Sequence, residues 1–180
     1  MIKKELLNSA LIEVILNRLA CELIENHGDF SNSVLIGLQP RGLFVLNRIV
    51  DLLQKTTGNT LAHGALDTTF FRDDFRRRDE PLLANQTKID VLLEGKKIVF
   101  VDDVLYSGRS VRSALDAIQS FGRPAEIELL VLIDRRFSRQ LPIQPNYTGK
   151  RVDSLDSQRV LVEWKEEAKK DCVYLIKPKA

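Results

Sequence analysis

The sequence has few of the residues that build disulfide frameworks and metal centres. Only two cysteines, Cys21 and Cys172, occur among the 180 residues, and they lie far apart and outside any CxxC spacing. Neither a disulfide framework nor a structural zinc site is therefore indicated. A reducing cytoplasm is the setting that we expect for such a chain.

An excess of charge of either sign is also lacking. The 27 basic and 25 acidic residues give a formal net charge of +2. The composition as a whole therefore does not predict nucleic acid, a membrane or another polyanion as a partner. Any such partner must be recognised by a local patch of the surface.

Long hydrophobic runs are lacking near the N-terminus, because polar residues interrupt the apolar ones every few positions. The interrupting residues include Glu13, Asn17, Arg18 and Glu22. This pattern is unlike the apolar region of a secretory signal and unlike a membrane span. We therefore expect neither a targeting segment nor a membrane anchor.

The segments that are present predict one domain over residues 1–180. Hydrophobic residues make up 44% of the sequence, which suits one well-formed core. Helices are predicted from Asn8 or Ser9 to His27-Gly28, over residues 43–55 and over residues 110–121, and strands over residues 33–38, 97–101 and 128–133. This alternation predicts an α/β fold with a single doubly wound, mostly parallel sheet flanked by helices. Ligands are expected at the carboxyl ends of its strands.

The remaining segments are less regular. Residues 59–71 are predicted to be extended, and residues 72–80 are too strongly charged to enter the core. Residues 134–150 contain two prolines and are expected to be irregular. Two short apolar runs, at residues 160–162 and 172–176, are candidates for closing strands. Trp164 and Tyr174 are expected to pack near these strands or to contact another subunit.

The segment that says most about chemistry is residues 99–110, with the sequence VFVDDVLYSGRS. Adjacent carboxylates at the end of a buried strand, here Asp102 and Asp103, accept hydrogen bonds from two vicinal hydroxyls such as those of a ribose. They also stabilise positive charge on the sugar. The loop that follows offers backbone N–H groups and a helix N-terminus, both of which favour phosphate. The pattern therefore predicts a ribose-phosphate site.

Two other interpretations apply to the same acids. They are a strand cap without chemistry and the magnesium-binding strand of a P-loop nucleotidase. The glycines of residues 37–42 have the Walker A spacing, but Leu43-Phe44 stands where a P-loop needs Lys followed by Ser or Thr. The P-loop interpretation therefore fails, and the structural interpretation of the acids stays open.

The segment VFVDDVLYSGRS resembles the phosphoribosyl-pyrophosphate motif of type I phosphoribosyltransferases. Five further segments resemble, in order and spacing, the bifunctional pyrimidine-operon attenuator/uracil phosphoribosyltransferase family, PyrR. They are GLQPRG at residues 37–42, FRDD at 71–74, GRP at 122–124, IDR at 133–135 and LPI at 141–143. The resemblance covers most of the chain up to about Lys150. It implies the type I fold, with a small hood over the base site contributed by about residues 134–150 and the C-terminal strands.

The resemblance also implies roles for residues at the donor site. Asp102 and Asp103 would contact the ribose hydroxyls and hold Mg²⁺, directly or through substrate and water. The ribose 5-phosphate would be cradled by Ser107, Gly108, Arg109 and Ser110, and the preceding residues Val104, Leu105 and Tyr106 would also bind the substrate. The pyrophosphate loop would consist of Gln39, Pro40, Arg41 and Gly42, with Arg41 on the leaving group. The alternative for this loop is an ordinary turn with an exposed arginine.

Two other segments would complete the site by resemblance. In residues 71–80, a loop that closes over the site, Arg72 would bind pyrophosphate, while Asp73 and Asp74 would order the loop or engage the metal. In the hood, Arg135 and Ile143 would lie at the base. The alternative for Arg135 is a structural role in which it pairs with a strand-end carboxylate.

The implied activity is transfer of ribose 5-phosphate from phosphoribosyl pyrophosphate to uracil, which gives UMP and pyrophosphate. An RNA-binding attenuator of pyrimidine genes and a purine or orotate phosphoribosyltransferase are the alternatives. Arg18, Arg139 and Lys150 stand where family members carry RNA-contact residues, but Cys21 and Gln144 replace expected basic or histidine side chains, and residues 135–140 are one residue longer than usual. Similar enzymes are dimers or larger, so a homo-oligomer is expected.

Overall fold

The centre of the structure is a five-stranded parallel sheet. A computed structural model of the chain describes residues 2–71 and 86–178. The central sheet contains β2 (Ser33–Leu38), β3 (His63–Leu66), β4 (Lys97–Leu105), β5 (Glu126–Arg136) and β6 (Tyr147–Asp153), in the order β3-β2-β4-β5-β6. All four neighbouring pairs are parallel. The predicted doubly wound α/β fold is therefore confirmed.

Three helices flank the central sheet. They are α1 (Ser9–His27), α2 (Gly42–Thr57) and α3 (Arg109–Ile118), and short 3₁₀ turns occur at Thr69–Phe71 and Gln119–Phe121. The Asn8 side chain caps α1 by accepting the Leu11 N–H at 3.0 Å. The left-handed Gly58 ends α2. None of the helices in the described ranges is long and apolar enough to cross a membrane.

The core lies on both faces of the central sheet because consecutive side chains of a strand point to opposite faces. On one face, Val99 and Val101 of β4 pack with the buried sides of α1 and α2. On the other face, Ile98 and Phe100 pack with α3. Since both faces of β4 are covered by helices, its apolar run is continuous, as expected for a parallel sheet.

A second, smaller sheet contains both ends of the described chain. Its strands are β1 (Ile2–Leu7), β8 (Cys172–Lys177) and β7 (Arg159–Glu163), paired antiparallel in the order β1-β8-β7. The two closing strands are confirmed, but β1 was not predicted. Residues 2–5 of β1 are exposed and include charged side chains, so no apolar alternation marks the strand. It forms through its backbone pairing with β8, which local sequence does not encode.

Trp164, which directly follows β7, is fully buried within this chain. It packs against Phe44 and the Arg48 guanidinium, whose centre lies 4.4 Å from the ring centroid. The Nε1–H of Trp164 has no hydrogen-bond partner among the described residues. Of the two expectations for Trp164, packing within the chain is therefore confirmed.

Two strands are longer than predicted. β4 extends through Leu105, so Asp102 and Asp103 lie inside the strand and not at its end. β5 extends to Arg136, and β6 begins at Tyr147. The prediction that residues 134–150 are irregular is therefore wrong at both ends of that segment. Polar side chains at these strand ends interrupt the apolar pattern by which a strand is predicted. The hydrogen bonds between the strands continue, because they depend on backbone groups. Asp134 pairs in register with Leu105 on one side and Arg151 on the other.

Substitutions in α1 test its packing. Leu19 is fully buried, whereas Leu11 of the same helix is 48% exposed. We expect Leu19→Ala to lower the free energy of unfolding by about 2–5 kcal/mol, because it leaves a cavity. Leu11→Ala is the matched control, with an expected change within about 0.5 kcal/mol. Urea denaturation of both variants checks this, and equal losses would contradict the assigned buried face.

Candidate active site

The candidate site lies at the carboxyl edge of the central sheet, between β2 and β4. These strands are parallel neighbours, and Gly37 pairs in register with Val101. The turn after β2 therefore lies beside Asp102 and Asp103. The chain continues from β2 to β3 on one side, while β4 lies on the other side. Such a reversal of strand order opens a crevice for ligands at the strand ends.

Gly42 allows α2 to begin directly against β4. A Cβ atom at Gly42 would lie 2.3 Å from the carbonyl oxygen of Val101 and 3.2 Å from Cα of Asp102. The turn before it contains a cis peptide between Gln39 and Pro40, a point that the sequence left open. The Gln39 N–H donates to the carbonyl of Leu66 at 3.0 Å. The predicted pyrophosphate loop is thus a fixed turn against β4.

Asp103 and Arg41 form an ion pair across this junction. Arg41 Nε donates to Asp103 Oδ2 at 2.7 Å, and the side chain of Asp103 is only 8% exposed. Burial raises the pKa of Asp103, although the charge and hydrogen bond of Arg41 act in the opposite direction. Burial alone would lower the pKa of Arg41, but its two carboxylate partners outweigh this and raise that pKa overall.

The other donors of Arg41 reach the smaller sheet and the connection that follows it. Arg41 Nη2 donates to the carbonyl oxygen of Val162 in β7, and Nη1 donates to Glu167 Oε2 at 3.3 Å. The Arg41 side chain is 37% exposed, and it links the turn after β2, β4 and β7. Its role on the leaving group stays a prediction. Sequence reasoning missed Val162 and Glu167, because no motif marks partners more than 100 residues away.

Asp102 and Asp103 provide a carboxylate pair that suits Mg²⁺ held jointly with a ligand. Asp102 Oδ1 accepts the backbone N–H of Asp103 at 2.8 Å. Within residues 2–71 and 86–178, no group of three or more His, Cys, Asp or Glu side chains is arranged to hold a metal. Mg²⁺ is commonly bound by one or two carboxylates together with substrate phosphates. The two acids fit that mode of binding and not an all-protein cage.

The loop between β4 and α3 has the geometry of an anion site. Gly108 has φ +92° and ψ −3°, in the left-handed region, and α3 starts at the next residue. A left-handed residue followed by helical ones makes successive N–H groups converge, and the helix dipole adds partial positive charge. A Cβ at Gly108 would lie 3.2 Å from Ile143. The predicted base-site residue Ile143 therefore packs on the predicted phosphate loop, residues 106–110.

Arg135 has a structural role, but with partners other than the expected carboxylate. It is buried and donates to Ser154 Oγ at 2.8 Å and to the carbonyl oxygens of Leu155 and Gln158 at 3.4 and 2.9 Å. Its guanidinium also stacks over Tyr106, 4.0 Å from the ring centroid. Burial lowers its pKa. Arg135 therefore fixes residues 154–158 beside the predicted phosphate loop.

The structure separates the other predicted residues into three groups. Ser107 and Ser110 are half-buried and Arg109 is exposed at the start of α3, and their roles as substrate contacts stay predictions. Val104 and Leu105 differ, because Val104 packs on one core cluster and Leu105 is buried in the other. The side chain of Leu105 is thus a core residue and not a ligand contact. Arg72, Asp73 and Asp74 lie outside the described residues.

Comparisons with known proteins point to one family. The phosphoribosyl transferase domain matches residues 3–167. The chain is 42% identical to the bifunctional protein PyrR of Microcystis aeruginosa, covering 96% of this chain and 97% of that protein. It is 37% identical to the bifunctional protein PyrR of Bacillus subtilis, with 95% of each covered. Among solved structures, the hypoxanthine phosphoribosyltransferase of Trypanosoma cruzi has a TM-score of 0.74 at 13% identity, covering 98% and 97% of the two chains.

A double-mutant cycle tests the ion pair. We expect Arg41→Met to lower the free energy of unfolding by about 1–3 kcal/mol near neutral pH, because it leaves a buried carboxylate without its charged donor. In an Asp103→Asn background the same change should cost much less. Urea denaturation of the wild type, both single variants and the double variant measures the coupling. Equal losses from Arg41→Met in the two backgrounds would contradict the pair.

The loss of stability caused by Arg41→Met should depend on pH. Burial raises the pKa of Asp103 in the folded protein, so its contribution to stability is fully present below its unfolded pKa and falls as pH rises through the folded pKa. Removal of Arg41 raises the folded pKa further. The stability loss of Arg41→Met should therefore be smaller at about pH 5 than at about pH 8, whereas a pH-independent loss would argue against a buried charge at Asp103.

Proposed function

Since the chain belongs to the PyrR family of type I phosphoribosyltransferases, we propose that it transfers ribose 5-phosphate from phosphoribosyl pyrophosphate to uracil, forming UMP and pyrophosphate. The observation that carries the proposal is the meeting of three elements at one edge of the sheet. They are the turn after β2, the carboxylates of β4 and the anion-binding loop before α3. A donor that carries a ribose between two phosphate groups needs all three.

Each element suits one part of the donor. The loop at residues 106–110 would hold the 5-phosphate with its converging N–H groups. Asp102 and Asp103 would accept the ribose hydroxyls, and the turn at Gln39 to Gly42 would hold the pyrophosphate. The order along the sheet edge supports this arrangement, because β4 lies beside β2 and leads directly into the loop before α3.

In the proposed reaction a ring nitrogen of uracil forms a bond to C1 of the ribose as the bond from C1 to the pyrophosphate oxygen breaks, and the proton of that nitrogen passes to the leaving pyrophosphate or to solvent. Positive charge develops on the ribose ring as the C1–O bond breaks, and negative charge develops on the pyrophosphate. The carboxylates of Asp102 and Asp103 stabilise the first, and the Arg41 guanidinium, held beside the turn after β2, stabilises the second. Bound Mg²⁺, held by these acids and the donor's phosphates, would neutralise further charge on the leaving group.

Uracil is favoured as the acceptor by the resemblance of the hood segments. The alternative bases, purines and orotate, share the donor motif, so only the hood separates them. The solved structures with the same fold include hypoxanthine phosphoribosyltransferases, but at 13% to 19% identity they are similar in fold alone. The relatives that are 35% to 42% identical are named PyrR or pyrimidine operon regulatory protein. The second of these names supports a pyrimidine.

RNA binding is a second candidate function, because one relative from Lactococcus lactis is named a pyrimidine operon regulatory protein. The three candidate contact residues differ in availability. Arg18 already donates to the carbonyls of Thr148 and Gly149 at 2.9 and 2.8 Å. Arg139 bonds the Tyr106 carbonyl and Asp134. Lys150 is exposed. An RNA surface would therefore rely on Lys150 more than on the two arginines.

The cellular setting and assembly are also proposals. We place the protein in the cytoplasm and expect a homo-oligomer of two or more chains. Cys21 and Cys172 are both free thiols, which is consistent with a reducing compartment.

The activity is tested by measuring pyrophosphate release from phosphoribosyl pyrophosphate and Mg²⁺ with uracil, orotate, hypoxanthine, guanine, xanthine or adenine supplied separately. We expect turnover with uracil alone. Turnover with a purine would support the proposed donor site and show that uracil is the wrong base. No turnover with any base, in protein shown to bind the donor, would make the RNA-binding regulator the leading candidate.

Asp103→Asn should lower turnover by roughly 10²–10³, the usual effect of losing one preorganised electrostatic contact. The matched control is Asp116→Asn in α3, since Asp116 is exposed and pairs with Arg112 at 3.3 Å, away from the strand ends. The control should retain wild-type turnover. Wild-type turnover in Asp103→Asn itself would contradict the proposed role of this carboxylate in catalysis.

RNA binding is tested with the leader RNA of the protein's own pyrimidine operon. If the second function holds, the complex should be tight and should weaken as salt increases, since phosphate contacts release counterions. Lys150→Ala should then reduce the slope of the salt dependence by about one unit, as expected for the loss of one phosphate contact. Weak binding equal to that of an unrelated RNA would exclude the regulator.

A further inference from the structure

A segment of the β5–β6 connection, residues 139–141, donates hydrogen bonds to two consecutive carbonyls of the predicted phosphate loop. Arg139 Nη1 donates to the carbonyl oxygen of Tyr106. The backbone N–H groups of Gln140 and Leu141 both donate to the carbonyl oxygen of Ser107, at 3.0 and 3.3 Å. The carbonyls at the start of the loop therefore face residues 139–141.

The direction of these carbonyls fixes the direction of the N–H groups that follow them. In a planar trans peptide, the C=O of one residue and the N–H of the next point in opposite directions. Since the carbonyls of Tyr106 and Ser107 face residues 139–141, the N–H groups of Ser107 and Gly108 point away from that segment. These two N–H groups belong to the loop whose left-handed Gly108 makes successive donors converge.

Side-chain contacts hold the same two segments together. Arg109 Nε donates to Gln140 Oε1 at 2.8 Å, which ties the first residue of α3 to residues 139–141. Gly108 packs so closely on Ile143 and Leu141 that an added Cβ would lie 3.2 and 3.5 Å from them. The predicted phosphate loop and residues 139–143 are thus one packed unit.

Arg139 is itself held by a buried carboxylate. Its Nη2 donates to Asp134 Oδ1, and the side chain of Asp134 is 9% exposed. Asp134 lies in β5 in register with Leu105, the last residue of β4. Arg139 therefore connects a fixed point in the central sheet with the carbonyl of the residue that follows β4. Arg151 also approaches Asp134, at 3.9 Å, but on the β6 side.

From these contacts we propose that Arg139 and Gln140 are positioning residues that orient the phosphate loop for the 5-phosphate of donor and nucleotide. The inference rests on the proposed function and deepens it. Arg139 holds the Tyr106–Ser107 peptide plane, and Gln140 holds the Ser107–Gly108 plane and the Arg109 side chain. Binding of a 5-phosphate depends on both planes, whereas pyrophosphate at the turn after β2 does not touch them.

The test compares Arg139→Met with Arg151→Met. Both arginines approach Asp134, but only Arg139 bonds the loop, so Arg151→Met is the matched control. Calorimetry would give the dissociation constants of UMP and of Mg²⁺-pyrophosphate for each variant. We expect Arg139→Met to weaken UMP roughly tenfold or more, which corresponds to losing one charge-assisted hydrogen bond. Its affinity for pyrophosphate should stay within about twofold of wild type.

Two more variants separate positioning from folding. Arg139→Lys keeps a donor that reaches one of the two acceptors, so it should restore part of the UMP affinity. Gln140→Ala removes the Arg109 contact and keeps the backbone bond, so it should weaken UMP by only a few-fold. If a thermal melt shows that Arg139→Met does not fold, Gln140→Ala provides the test. Its affinity for UMP should then fall while its affinity for pyrophosphate does not.

The outcomes distinguish this inference from the proposed function. If wild type binds UMP and Arg139→Met binds it equally well, the positioning role is wrong and the proposed function stands. The same holds if Arg139→Met loses UMP and pyrophosphate in equal measure, since a general loss of structure then accounts for the effect. If wild type binds neither UMP nor pyrophosphate, the proposed function fails, and this inference fails with it.

Discussion

The close contact between the start of α2 and the middle of β4 governs the rest of the candidate site. Gly42 makes this contact possible, because any side chain there would collide with the Val101 carbonyl. This close approach brings the Arg41 guanidinium into hydrogen-bond distance of Asp103. Burial alone would disfavour the charged form of that carboxyl group. Three elements that are distant in sequence, the turn after β2, the acidic strand and β7, therefore share one guanidinium. Their relative positions are set before any ligand arrives, which is the usual basis of electrostatic preorganisation.

The parts of the fold with strong local signals were predictable from the sequence. The capped helix α1 follows from its apolar spacing between Asn8 and Gly28, and the doubly covered strands β2 and β4 follow from their continuous apolar runs. The strand β1 was not predictable, because it owes its existence to pairing with β8 and carries exposed charges. The ends of β4 and β5 were missed for a related reason. Their acidic and basic residues, such as Asp102 and Asp134, look like loop residues although their backbones continue the ladder.

In the candidate site, too, some features could be predicted from the sequence and others could not. The types of residue in VFVDDVLYSGRS indicated ribose and phosphate binding because each type has a defined hydrogen-bonding capacity. The partners of those residues were not indicated. Arg135 and Arg139 looked like ligand or RNA contacts in the sequence, yet the structure places both in bonds to backbone carbonyls and neighbouring side chains. A guanidinium has five donors in a fixed plane, so an arginine near a site often holds the walls of that site together.

The smaller sheet has a consequence for the order in which the protein is completed during synthesis. Among the described residues, its middle strand, β8, is the last strand, and β1 is the first. A nascent chain therefore carries β1 without a partner until residues 172–177 have left the ribosome, and β7 also lacks its neighbour until then. Because Arg41 is anchored on β7 and on Glu167, the first helices and the central strands can assemble early, while the anchoring of Arg41 is finished only after residues 172–177 have been synthesised.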